Sequence, residues 1–352
     1  MAGLDRLCSC RLVAGVRPAQ PLLDPGWCGL PYGKNDPGAA LSILGGVCAS
    51  FGAPVIAALG LAGAVATVAM ARTRQGGGGL RAALLGFAWG AAATLALLIP
   101  DYRVLVAVAY TPIILIGAPF GWPPGVSMLD VFPWPVVNQF ICIGGGLLWA
   151  ATAAAYGRRS RDACERCGRD DDGAGWTRPD VAARCGRWAT YVAVIIPVLY
   201  AVTRWAWALG LPLGISEEFL HEGQEVGLWW AGAALATLAV GGAILTLGLL
   251  QRWGEVFPLW IPLLGGKRVP IPLAVVPASL VAVLVTTAGL MFVRLTLTGR
   301  LGAILGAGVL SAQNWAALAP ELLWPLWGAA LGAATLAYYH RRRGKCEHCG
   351  RL

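Results

Sequence analysis

The sequence predicts an all-α fold, a polytopic membrane helix bundle of seven to eight spans built from two parallel homologous halves. Three observations carry that expectation. Hydrophobic residues fill 57% of the 352 positions and charged residues only 13%, about half the charge of a soluble domain, and the mean hydropathy is +0.64. Uncharged stretches close to the roughly 20 residues that cross a bilayer core recur along the chain. A segment ending in C-x-x-C-G-R occurs twice. Too little charge is present to wet a globule of this size, which excludes intrinsic disorder and a water-soluble enzyme of ordinary composition.

The N-terminal segment 1–36 reads as irregular. Asp5, Arg6, Arg11, Arg17, Asp24, Lys34 and Asp36, interspersed with prolines, leave no apolar core for a secretory signal. Pro37 to Ala71 is uncharged, and its later part is expected to span. Ala82–Pro100, Val136–Gly157, Trp188–Leu209, Leu228–Leu250, Pro272–Val293 and Leu322–Tyr339 follow as spans. Val104–Phe120 is an eighth candidate, short and broken by Pro112 and Pro119.

Shifted by 182 positions, Gly146–Arg169 lies on Gly328–Arg351 without a gap. Tyr156 meets Tyr338, Arg159 meets Arg341, Arg161 meets Arg343, and Cys164-Glu165-x-Cys167-Gly168-Arg169 meets Cys346-Glu347-x-Cys349-Gly350-Arg351. Gly29-Leu30-Pro31-Tyr32-Gly33 matches Gly210-Leu211-Pro212-Leu213-Gly214 at a similar shift. Compositional bias does not align two cysteine pairs, so an internal repeat is expected. The chain divides into the irregular segment 1–36, a first membrane repeat 37–170, a linker 171–187 and a second membrane repeat 188–352. The first repeat has no counterpart of the Trp188–Leu209 span.

Both knuckles follow arginine clusters at the end of a span, which places them in the cytoplasm and makes the repeats parallel. The charge counts of the loops scarcely separate two topologies. The short, basic Arg72–Arg81 loop favours an external N-terminus, with the stretch from Val104 re-entrant.

Two C-x-x-C pairs supply four thiolates, the ligand set of a tetrahedral Zn²⁺. Cys164, Cys167, Cys346 and Cys349 are therefore candidate zinc ligands that join the two halves, with neighbouring Arg and Lys offsetting the negative charge. The knuckles resemble those of zinc-ribbon proteins over about six residues each, a resemblance that implies metal binding alone. C-x-x-C is also a redox motif, so thiol–disulfide chemistry is the rival reading. Cys185 is a potential spare ligand, Cys142 a small core residue, Cys8 and Cys10 a C-x-C, and Cys28 and Cys48 isolated.

A second candidate site lies in Ile215–Glu225. Ser216 is placed to cap a short helix on which Glu217, His221 and Glu225 share a face, with Glu218 and Glu222 beside them. Such a cluster suits a divalent cation or proton movement, or is simply an acidic extracytoplasmic loop. Arg204, Arg294 and Glu321 are ionisable groups in or at the ends of spans, and Arg204 is expected to pair with Glu217 or Glu321 or to anchor at the interface. Trp229, Trp230, Trp324 and Trp327 read as interfacial belt residues.

No P-loop, G-x-S-x-G or H-E-x-x-H is present, and no basic, aromatic-rich patch suits nucleic acid. The knuckles, Arg204–Leu213 and Arg252-Trp253-Gly254-Glu255-Val256-Phe257-Pro258 resemble multi-pass membrane proteins of high-GC Gram-positive bacteria that end in C-x-x-C-G-R. That resemblance implies class and location, a bacterial cell membrane, and no activity; the arginine clusters are what place the C-terminus in the cytoplasm. Three functions stay open: a non-enzymatic transporter or scaffold with a structural zinc, a membrane thiol oxidoreductase, and a sensor or assembly factor using the acidic loop. The lipid bilayer is the expected partner.

Overall fold

A computed structural model describes residues 38–45, 49–73, 78–117, 128–164, 166–169, 179–302 and 311–350, with Tyr32, Asp36, Val47 and Pro119. Cys8, Cys10, Cys28 and Cys48 lie outside the described residues, as do nearly all of segment 1–36 and the first part of the linker, 171–178. The described residues form helices, with one isolated bridge between Val256 and Arg268.

Among the described residues nine longer helices carry the fold: α1 (Ala49–Arg72), α2 (Gly78–Ala93), α3 (Tyr102–Gly117), α4 (Trp134–Arg159), α5 (Pro179–Ala208), α6 (Glu217–Glu225), α7 (Leu228–Leu247), α8 (Ile271–Leu297) and α9 (Trp324–Arg342). A π-helical turn, Thr94–Leu98, extends α2. Short helices at Met128–Val131 and Ala319–Leu322 precede α4 and α9. Among the described residues six helices are long and apolar enough to cross a membrane: α1, α2 with its π turn, α4, α5, α7 and α8.

The expected spans differ from these in instructive ways. The first starts at Ala49, because Ala39–Leu41 folds into a separate 3-10 turn. The Val104 stretch is helical but only 16 residues long. Helix α9 has 19 residues, yet tyrosines, tryptophans and a His-Arg-Arg end lower its hydropathy. It is sandwiched between α5 and α8, so neighbouring helices rather than lipid cover Gly328, Leu331, Ala334 and Tyr338.

The chain separates into two compact units, one of residues 1–101 and 110–160, the other of 102–109 and 161–352. In the first, α2 packs on α4 around Met70, Leu84, Ala88, Ala153 and Tyr156. Gly146 sets the closeness of that packing: a Cβ there would stand 2.7 Å from Ala96 Cβ and 2.8 Å from the Ala92 carbonyl oxygen. In the second unit, α9 packs on α8 and α5, and α7 packs on α5. Gly328 repeats the device, since its Cβ would meet the Ala282 carbonyl oxygen at 2.6 Å. With no hydrophobic drive between helices in lipid, such small-residue contacts hold spans together. Threonine hydroxyls in these helices donate to carbonyls four residues back, as in Thr190 to Gly186 at 2.8 Å and Thr335 to Leu331 at 2.7 Å, so none of these needs water.

One end of the second unit gathers the loop between α7 and α8 with the end of α9. Tyr338 Oη donates to the Gly254 carbonyl at 2.7 Å, Arg341 to the Leu249 carbonyl at 2.7 Å and Arg342 to the Val269 carbonyl at 3.0 Å. The opposite end carries α6, Arg204 and Glu321.

Candidate metal centre

Each knuckle is built the same way. Gly168 and Gly350 both adopt φ near 70°, a left-handed conformation that costs glycine nothing. In that conformation Gly168 N–H reaches the Cys164 carbonyl at 2.7 Å and Gly350 N–H the Cys346 carbonyl at 2.8 Å. The turn also aims backbone N–H groups at the leading sulfur. The amide of Cys167, aided by that of Arg166, holds the Cys164 thiol down to about 6. Amides of Cys349 and His348 lower the Cys346 thiol in the same manner. Burial pushes the Cys167 thiol up to about 11.

The fold brings the knuckles together inside the second unit. Cys164, Cys167, Cys346 and Cys349 place their four sulfurs within 4.8 Å of one another. Cys167 Sγ and Cys349 Sγ are 3.5 Å apart, too far for a disulfide at about 2.05 Å and close to the roughly 3.8 Å edge of a Zn–S₄ tetrahedron with 2.3 Å bonds. Sulfur-only donors in this arrangement suit Zn²⁺, and they suit other thiophilic ions as well. Two arginines lock the knuckles: Arg343 donates to the Cys167 carbonyl at 2.9 Å, and Arg169 to the Gly344 carbonyl at 3.2 Å. Sequence reasoning counted these arginines as charge balance and missed this reciprocal latch, although the shared C-G-R frame contains one of them. Cys185 is exposed, and Cys142 bonds locally to Asn138.

No family model, curated protein or solved structure matches this chain. The reading of the site therefore stands on its geometry.

The second candidate site divides. Ser216 caps α6 as expected, accepting from the Phe219 amide at 3.3 Å. Glu217, Glu218, His221, Glu222 and Glu225 are all exposed. Among the described residues the group of three or more metal-ligating side chains within common reach is the cysteine set. Arg204 and Glu321 instead form a buried ion pair. Arg204 also donates to the Ala316 carbonyl at 3.2 Å and lies over the rings of Tyr200 and Trp207, with centroids at 4.6 and 4.3 Å. These rings sit four residues before and three after it on α5, the spacing of one helix face. Glu321 Oε2 is buried with no hydrogen-bond partner among the described residues. Trp229 and Trp327 are core residues rather than belt. Trp229 closes over Trp207 with centroids 4.9 Å apart and donates to the Leu220 carbonyl at 2.7 Å.

A second buried polar pair was not foreseen. Gln139 Nε2 donates to Asp101 Oδ2 at 2.8 Å and its carbonyl accepts from the Asp101 amide at 3.0 Å. Gln139 is 0% and Asp101 1% exposed. The available signal was the adjacent amide pair Asn138-Gln139 in the otherwise largely apolar Val136–Gly157 stretch.

Proposed function

We propose that this chain is a non-enzymatic multi-pass protein of the cell membrane, a transporter or scaffold, in which Cys164, Cys167, Cys346 and Cys349 hold one structural Zn²⁺. The observation that carries this is the convergence of four sulfurs, 182 positions apart in sequence, into one tetrahedron-sized cluster. The metal supplies a cross-link and nothing more. The Gly168 and Gly350 turns present the leading thiols, and the Arg169–Arg343 latch fixes the knuckles and balances their charge.

We further infer an internal repeat, with both knuckles and the C-terminus cytoplasmic and α9 as a seventh crossing. Its support is the equal use of Gly146 and Gly328 at helix contacts, and of Gln139 and Glu321, also 182 apart, as buried polar positions. The external pole then holds α6 and the Arg204–Glu321 pair.

Elemental analysis of the purified full chain tests the metal. About one zinc per chain is expected, falling to near zero in Cys167→Ser/Cys349→Ser. Absence of zinc together with reversible disulfide formation would favour the thiol oxidoreductase reading, for which the lowered Cys164 beside the raised Cys167 is the supporting observation.

A further inference from the structure

Helix α7 packs on α5 and helix α8 on α9, and the two scarcely touch each other, which leaves a groove between them. Its volume is about 720 Å³, within the roughly 300–1,000 Å³ of sites that hold small ligands. Leu245 of α7 and Leu273 of α8 form the walls, and Trp327 and Leu331 of α9 the floor. Its lining is apolar, and the hydroxyl of Thr246 is already bonded to the Gly242 carbonyl at 2.8 Å. Little in it binds water.

The loop from Leu249 to Pro270 closes one end. It is pinned by the Val256–Arg268 bridge and by backbone bonds from Phe257 N–H to the Lys267 carbonyl and from Gly266 N–H to the Phe257 carbonyl. Its tip is apolar and exposed, with Leu259 at 88%, Trp260 at 81% and Leu263 at 92%. A tip of that kind is at home in the acyl region beneath the headgroups. Arg252, Lys267 and Arg268 are exposed at its base. Each adjoins, or is bonded through its backbone to, a groove residue: Trp253, Phe257 and Val269. The loop's acid, Glu255, is taken by Arg341 at 3.0 Å, so the base presents positive charge.

We propose that this groove binds an anionic phospholipid, its acyl chain between α7 and α8 and its phosphate headgroup held by Arg252, Lys267 and Arg268. An apolar slot between two spanning helices lies in hydrocarbon, so an acyl chain fills it. The three cations at its end select an anionic headgroup.

The full chain, reconstituted in phosphatidylcholine vesicles, is irradiated with either phosphatidylglycerol or phosphatidylcholine carrying the same photoreactive acyl chain, and the labelled residues are mapped by mass spectrometry. The expected result is labelling of Leu245, Leu273 and Trp260 favouring the phosphatidylglycerol probe by at least about fivefold, the factor one basic residue contributes near an anionic group. Leu61 and Leu148, exposed on other spanning helices, should label equally with both probes. In Arg252→Gln/Lys267→Gln/Arg268→Gln, whose altered side chains are exposed, the ratio should fall to about one while thermal stability in detergent is unchanged. Equal labelling of the groove by both probes, no labelling there, or an unaltered preference in the triple variant would each overturn the proposal.

Discussion

Arg204 shows how a charge can live inside an apolar bundle. The guanidinium is wrapped by Glu321, the Ala316 carbonyl and two rings. Removing one partner of such a pair leaves the other charge buried and uncompensated, at a cost of about 3–5 kcal/mol, whereas removing both for apolar residues is often neutral. Arg204→Met should therefore lower the unfolding midpoint in detergent by that scale, and Arg204→Met/Glu321→Met should recover most of it. A double variant as weak as the sum of the singles would mean that the pair is not coupled. Residue-level chemistry also sets reactivity at the knuckles. In metal-free protein at pH 7, iodoacetamide should modify Cys164, whose thiol sits near 6, ahead of Cys167, held near 11. Added zinc should protect all four. Both knuckles were legible as motifs, because C-x-x-C-G encodes its own turn. The Arg204 partner was legible only as a choice between Glu217 and Glu321, since exposure at α6 depends on tertiary packing that no local pattern reports.

Among the elements, the helix pairs α2–α4 and α8–α9 meet at Gly146 and Gly328. Gly146→Ala forces a methyl into Ala92 and Ala96 and should cost about 1–3 kcal/mol as overpacking. Gly86, in α2, has nothing within 4 Å of a Cβ, and Gly86→Ala should stabilise by up to about 1 kcal/mol through helix propensity. Thermal melts of the two variants should thus move in opposite directions. Hydrophobic runs located the long spans because twenty uncharged residues have few other uses. Boundaries were less readable: α5 starts at Pro179 and includes charged Arg184 and Arg187 before its apolar part, and α8 runs on past Arg294 to Leu297. The span expected at α9 met a helix whose buried Gly, Ala and Tyr face contributes little hydropathy, because protein, not lipid, covers that face.

For the whole molecule, the proposed topology puts α6 outside and the Leu249–Pro270 loop inside. A membrane-impermeant thiol reagent applied to intact cells should label Glu225→Cys and leave Arg252→Cys unlabelled until the membrane is opened. The reverse pattern would invert the topology and move the knuckles to the oxidising side. The sequence carried the class of the molecule through its scarcity of charge and its duplicated ends. It did not carry the groove between α7 and α8, which arises because α7 leans on α5 and α8 on α9 and neither on the other.

The Cys167–Cys349 approach has a kinetic consequence. Its two sides are separated by 182 positions, with α5, α7, α8 and α9 between them, so closure is a high-contact-order event that waits for every intervening helix to insert. Under the proposed zinc site and topology, ligation works as a late checkpoint: a chain stalled during insertion displays bare thiols to the cytosol, and a completed one hides them. Cells short of zinc should accumulate full-length chains that are inserted but still open to proteases at the knuckles.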